Sequence, residues 1–174
     1  MKAAAIVAAT LMVATPAAAQ RPCLSGSEAE DIALVALPEI LSETGVVCAP
    51  RLPTTSLLRR QDGPFLAKYR AAADLAWPAA RGAIVKLSNP AADLLLDSSY
   101  ARPLLTTLLV PLLVGRIAPG DCGMLDRLVT QLAPLPARNT AGVVVTALQY
   151  VNKQRAKGKQ VDVPELPLCR EDQP

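Results

Sequence analysis

Histidine is absent from all 174 residues, and aromatic side chains make up only 3% of them. The first absence excludes a Ser-His-Asp triad, a Cys-His dyad, a histidine-bearing zinc site and a histidine pH switch. The second argues against a platform on which nucleic-acid bases stack, so no nucleic-acid partner is expected. No two cysteines are spaced as CxxC, which removes a thioredoxin-type redox motif and a clustered zinc site. G-x-S-x-G and S-x-x-K are missing too, and with them the signatures of hydrolases and penicillin-binding proteins. Walker loops, dinucleotide fingerprints and D-x-D-x-D-G calcium loops do not occur either. No enzyme, cofactor or metal is expected from this inventory.

What is there begins with an address. Met1-Lys2 is a short positive start, Ala3 to Ala14 is apolar, Pro16 breaks the run, and Ala17-Ala18-Ala19 supplies small residues before Gln20. This is the layout of a cleaved Sec signal peptide over residues 1–19. At roughly 17 apolar residues, interrupted by Pro16, it reaches only the lower limit for crossing a bilayer. A twin-arginine pair is missing, and Arg21-Pro22 before Cys23 is not a lipidation context. A periplasmic or secreted product with no transmembrane span in the mature chain is expected.

Four cysteines follow the leader: Cys23, Cys48, Cys122 and Cys169. An even number in an exported chain reads as two disulfides, for which three pairings exist. If one helix fills the stretch from Ser27 past Gly45, its ends lie roughly 27 Å apart, whereas bridged Cα atoms stay within about 7 Å. Long-range pairings are therefore favoured over Cys23–Cys48. Beside a helix start, Cys122 as a free thiol would be reactive, but an oxidising compartment favours a bridge.

Charge is nearly balanced. The chain holds 18 basic residues, one of them Lys2 in the leader, against 15 acidic ones, which leaves the mature chain at +2. Such a charge demands no anionic partner. Acidic residues from Glu28 to Glu43 face a basic run from Arg51 to Lys86, as complementary helix surfaces would.

The pattern along the chain is helical, with about six or seven proline-kinked helices in one compact bundle over residues 20–158. Ser27 to Glu30 reads as a capping box, followed by Ile32, Val35, Ile40 and Leu41 near helical spacing, with Pro38 as a kink. Ser56 to Arg60 reads as a short helix. Pro64 opens a longer one that Trp77-Pro78 interrupts. Asn89-Pro90 signals the start of Ala91 to Asp97. Pro103 to Ile117 is the most apolar stretch, too short to span a membrane and expected to be a central buried helix. Asp121 is read as the cap of Cys122 to Leu132, and Asn139 or Thr140 as the cap of a last helix that ends near Gly158. Residues 159–174 read as an extended tail stapled to the body through Cys169. The class is all-α.

Three constellations are candidates for chemistry or binding. Asp93/Asp97 and Asp121/Asp126 are carboxylate pairs, although aspartate near a helix N-terminus is stabilising in any case. Lys153, Arg155, Lys157 and Lys159 form a basic cluster suited to an anionic envelope surface, and equally suited to the negative end of their helix. Tyr69, Trp77 and Tyr100 are candidates for the rim of an apolar pocket enclosed by leucine, valine and alanine, for an acyl or lipid-like ligand.

Cys23-Leu24, Ala36-Leu37-Pro38, Ala76-Trp77-Pro78, Asp121-Cys122 and Pro134-Leu135-Pro136, with Asn139-Thr140-Ala141-Gly142, resemble uncharacterised exported all-helical four-cysteine proteins of alphaproteobacteria. That resemblance spans most of the mature chain and implies the fold and the compartment, with no function to transfer. At the level of class alone the chain is also similar to small periplasmic acid-stress chaperones. The expected role is that of a non-enzymatic binding or structural protein. The alternatives are a carrier of an apolar ligand or binder of an anionic envelope surface, a periplasmic chaperone, and last a histidine-independent enzyme.

Overall fold

A computed structural model describes residues 22–88, 91–161 and 166–169. The leader and the Asn89-Pro90 start signal lie outside these residues, as do 162–165 and 170–174. Six helices occur among the described residues: α1 (Gly26–Cys48), α2 (Pro64–Leu87), α3 (Ala92–Leu96), α4 (Ala101–Val114), α5 (Cys122–Leu132) and α6 (Ala137–Ala156). The fold is all-α, a helical bundle with two disulfides.

The α1–α2 pair is its spine. Along α2 the buried positions are Leu66, Tyr69, Ala73, Ala76, Ala80 and Ala83, spaced alternately by three and four as in a coiled-coil seam. Along α1 they include Leu34, Pro38, Gly45 and Cys48, with half-buried Leu41 completing the same rhythm. Small residues let two such helices approach closely, and α6 closes the layer with Ala137, Ala141 and Val145. Tyr69 is the one large aromatic side chain fully inside, and its hydroxyl meets Thr140 Oγ1 at 3.3 Å. That contact answers the polar end of a buried ring.

Each end of α1 carries a disulfide. Cys23–Cys169 ties the entry of α1 to the tail. There the Leu24 N–H donates to the Pro167 carbonyl and the Cys169 N–H donates to the Leu24 carbonyl. Leu24, Ala29, Ala83 and Val145 bury beneath that bridge with Leu168 against them. Cys48–Cys122 ties the exit of α1 to α5, among Leu52, Leu58, Ile117, Leu125 and Val129. Both pairings are long-range, and Cys122 is no free thiol.

Several local expectations shift. The capping box sits two residues earlier. The Glu28 N–H donates to Ser25 Oγ and the Ser25 N–H donates to Glu28 Oε2 at 2.7 Å, so Ser25 and not Ser27 is the cap. Both serines offer a hydroxyl, but only Glu28 also meets a lysine, Lys86, at 2.9 Å. Residues 53–60 form successive turns and no helix. Ser56 turns inward to donate to Asp126 at 2.5 Å and to accept from the Leu58 N–H. Pro38, Pro78 and Pro111 lie inside continuous helices, so Trp77-Pro78 is not a break. Between Ala92 and Leu96, α3 is shorter than expected. Asp121 makes no side-chain cap to α5; it accepts from the Ala118 N–H instead. Pro136 precedes α6, ahead of Asn139 and Thr140, and the Thr140 side chain serves Tyr69. At the other end Gly158, with φ of 81°, terminates α6, and its N–H donates to the Arg155 carbonyl.

The largest departure concerns α4. It is a surface helix and not the central one. Only Ala101, Val110 and Val114 are buried, because α2 and α6 already occupy the inward side of α1 and leave α4 a narrow strip to pack on.

Gly45 is where the loop after α1 crosses back over it. A methyl group there would collide with the Leu58 carbonyl oxygen and crowd the Gln61 side-chain nitrogen at 2.9 Å. Gly82 on α2 has open space around it. Gly45→Ala is expected to lower the unfolding free energy by about 2–3 kcal/mol, while Gly82→Ala raises it by about 0.5–1 kcal/mol. Urea denaturation of both variants is the check, and equal midpoints would refute the crossing.

Lys86 and the Ser25 N–H hold the Glu28 carboxyl below its ordinary range, with the Lys86 hydrogen bond the larger cause. A carboxylate depressed in the folded state stabilises above the ordinary carboxylate range and loses that effect as the solution turns acid. The melting-temperature gap between wild type and Glu28→Gln should therefore be widest near neutrality and close below about pH 4. A gap that stayed constant down that range would contradict the assignment.

Candidate functional site

The carboxylate pairs are engaged in holding the fold. Arg81 on α2 reaches Asp93 at 2.7 Å and Asp97 at 2.5 Å, so the two aspartates share one guanidinium. Asp93 first and Asp97 second raise the Arg81 pKa. In the other pair, Asp126 accepts from Ser56 and Asp121 from the Ala118 backbone. A further cluster was not anticipated: Arg138 on α6 pairs with Asp31 at 2.6 Å and with Glu30 at 3.4 Å on α1. Of the basic run from Arg51 to Lys86, Lys86 meets the acidic stretch of α1, at Glu28, while Asp31 and Glu30 take Arg138 of α6 instead.

Lys68 is the most unusual cation. Its ammonium donates to the carbonyls of Ala133 and Leu135 at 2.5 and 2.7 Å, and lies 4.9 Å from the centroid of the Tyr69 ring. Burial lowers its pKa. The lysine straps the Pro134-Leu135-Pro136 turn onto α2 and offers no free ammonium to a substrate.

The three aromatic residues expected to rim a pocket are not brought together. Tyr69 is buried in the central cluster, Trp77 packs half-buried against that cluster, and Tyr100 is 79% exposed at the start of α4. The core between α1 and α2 is filled with alanine and leaves a rim nothing to surround. A shallow dent lined by Leu41, Leu58, Phe65 and Leu66 among others has no enclosed room even for a water molecule. The basic cluster lies at the end of α6: Lys153 and Arg155 occupy its last turn, while Lys157 and Lys159 follow it, exposed. Arg155 donates to Asn152 Oδ1 and to the Val161 carbonyl.

The conspicuous exterior is apolar. On α4, Leu104, Leu108, Leu109, Leu112 and Leu113 are 39–63% exposed. Leu94 and Leu95 on α3 are 83% and 76% exposed, and α3 contacts α4. Arg102, the only charged residue in α4, pairs with Asp74 at 2.5 Å. The leucines between Pro103 and Ile117, expected in a central buried helix, thus stand on the surface. The signal that marks them is that α4 carries leucine and valine over more of its circumference than one buried strip requires, with Arg102 and two threonines as its polar residues. No helix among the described residues is long and apolar enough to cross a membrane.

Nothing matches the chain among protein-family models, curated proteins or solved structures.

Arg81 holds α3 to α2 from outside, so Arg81→Gln should speed amide hydrogen exchange across 92–96 several-fold while leaving α1 unchanged. Unaltered exchange in α3 would show that the two aspartates do not depend on that guanidinium.

Proposed function

We propose that the chain is an exported, non-enzymatic binding or structural protein that meets its partner with the outer face of α3 and α4, an apolar protein surface being the fitting counterpart. The observation that carries this reading is the row of five half-exposed leucines on a helix that buries only Ala101, Val110 and Val114. Ordinary monomers scatter exposed leucines singly, whereas contiguous apolar faces mark interaction sites. Export is supported by the leader-like start and by two disulfides, which persist in oxidising compartments. The periplasm is the compartment we assign.

Other readings have less behind them. A carrier of an enclosed acyl chain would need an interior that the alanine seam fills. Contact of the α6 end with anionic envelope polymers rests on Lys157 and Lys159, since the helix terminus accounts for Lys153 and Arg155. A chaperone would use the same α3–α4 face, with unfolded clients as partners. A histidine-independent enzyme would need carboxylates that are here occupied by Arg81, Ser56 and a backbone amide.

The test is site-specific photo-crosslinking of the exported chain in a Gram-negative host, with the reactive side chain placed at Leu108 or at exposed Ala147 on α6. Adducts at position 108 in several-fold excess over position 147 are expected. Equal labelling at both positions would overturn the assignment of the face.

A further inference from the structure

We infer that the occupant of the α3–α4 face is a second copy of this chain, which makes the protein a two-fold dimer; the inference rests on the reading of that face as the working surface. Three observations favour this occupant.

The first is shape. Leu104, Leu108 and Leu112 stand four residues apart and form one ridge along the exposed side of α4. On one side lies the row Leu105, Leu109 and Leu113, and on the other Pro103, Thr107 and Pro111. Ridges of this i±4 type pack into the grooves beside an identical ridge at about −50°, the commonest helix crossing. A two-fold axis through the middle of the ridge brings the same patch of both copies together, as an isologous interface requires.

The second is area. Leu94, Leu95 and Tyr100 continue the apolar exposure beyond the start of α4, so eight large apolar side chains, each 39–83% exposed, lie on α3 and α4. Seven leucines and a tyrosine so exposed go beyond the singly scattered apolar residues usual on monomers and offer area of the order that a standard interface of roughly 800 Å² per partner uses.

The third is charge. A helix that lies on an anionic bilayer carries lysine and arginine along its polar side. In α4 the only charge is Arg102, and Asp74 neutralises it. The basic residues Lys153 to Lys159 belong to the end of α6, which adjoins the start of α1 through Val145 and Leu24. The C-terminal end of α4 leads through Ile117 to the opposite end of α1, at Cys48. About 34 Å of helix separates that C-terminal end from the start of α1, whereas α3 joins α2 at Arg81, beside the Ala83 that packs on Leu24 and Val145. With no unpaired charge along α4, the ridge lacks the cations of a membrane-binding helix, whereas an uncharged, self-complementary ridge suits its own copy.

The test is sedimentation velocity of the oxidised full mature chain over a concentration series up to about 100 µM. It compares wild type, Leu104→Glu/Leu108→Glu/Leu112→Glu, and Tyr150→Glu as a substitution of an exposed residue on α6, with circular dichroism to verify that each is folded. Wild type and Tyr150→Glu should sediment as dimers, and the triple variant as a folded monomer with association at least about 100-fold weaker. A single Leu108→Glu substitution, less demanding of the fold, should weaken association in the same direction. A dimer that survives the triple substitution would overturn the placement of the interface. A wild-type monomer at every concentration would overturn the second copy. Flotation with phosphatidylcholine–phosphatidylglycerol vesicles then separates the two failures. Vesicle binding lost in the triple variant would leave the face as a working surface with lipid as its occupant. A monomer that neither binds vesicles nor crosslinks through position 108 would overturn the surface as well.

Discussion

Both ends of α1 are fixed covalently, and the rest of the molecule is arranged around that clamped rod. Cys23–Cys169 closes a separation of 146 residues and Cys48–Cys122 one of 74. Loops of such length lose about 4–5 kcal/mol of unfolded-state entropy each in the simplest treatment. That contribution matters here because the seam of α2 is built largely from alanine, and each buried alanine removes little apolar area from water. Two elements depend on the bridges most directly. The tail has one β-bridge to Leu24, and α5 is held at its first residue by Cys122, with Ser56 and Asp126 reinforcing it.

The scarcity of aromatic residues has a structural counterpart. A seam of alanine lets α1 and α2 approach closely, and it fills the space that larger side chains would have framed as a cavity. Tyr69 is the exception: its ring takes the T-shaped contact of Phe65 at 5.3 Å and the approach of Lys68, while its hydroxyl finds Thr140. The Lys68 ammonium completes the carbonyls of the α5–α6 turn. One ring thus joins α2 to α6, and its lysine neighbour joins α2 to the turn that precedes α6.

The helical class and the long-range disulfides could be read from the residues because each follows from local spacing or elementary geometry, whereas the acidic stretch of α1 turns to Arg138 of α6 as well as to Lys86. Helix starts were harder to place. Ser25 and Ser27 both precede a glutamate by three residues, and the choice of Ser25 is favoured by Lys86, 58 positions away. The turn region 53–60 has helical composition, but Ser56 must turn inward to meet Asp126, 70 residues on. The helix runs past Gly45 to Cys48, and the close approach of Leu58 to Gly45 in its last turn depends on the path of a later loop. Burial of α4 could not be read at all. Leucine content reports that a helix can be buried, while the number of free core positions left beside α1 decides whether it is.

A helix with leucine and valine over most of its circumference presents a problem that packing on one neighbour does not solve. If α4 turned Leu104, Leu108 and Leu112 inward, Val110 and Val114 would face water, and the helix would gain little by rotating. Some apolar side is left over in any single-copy arrangement. Its length, 14 residues, is too short to hide the remainder in a bilayer. Its single arginine is already paired, which removes the charge that natural proteins use to keep exposed faces apart. A contiguous apolar face of this kind marks an interaction site, and a leucine ridge of four-residue pitch is complemented by another ridge of the same pitch. The excess hydrophobicity of the chain is thus divided between a core shared by α1, α2 and α6 and a ridge on α4 that one copy alone cannot bury.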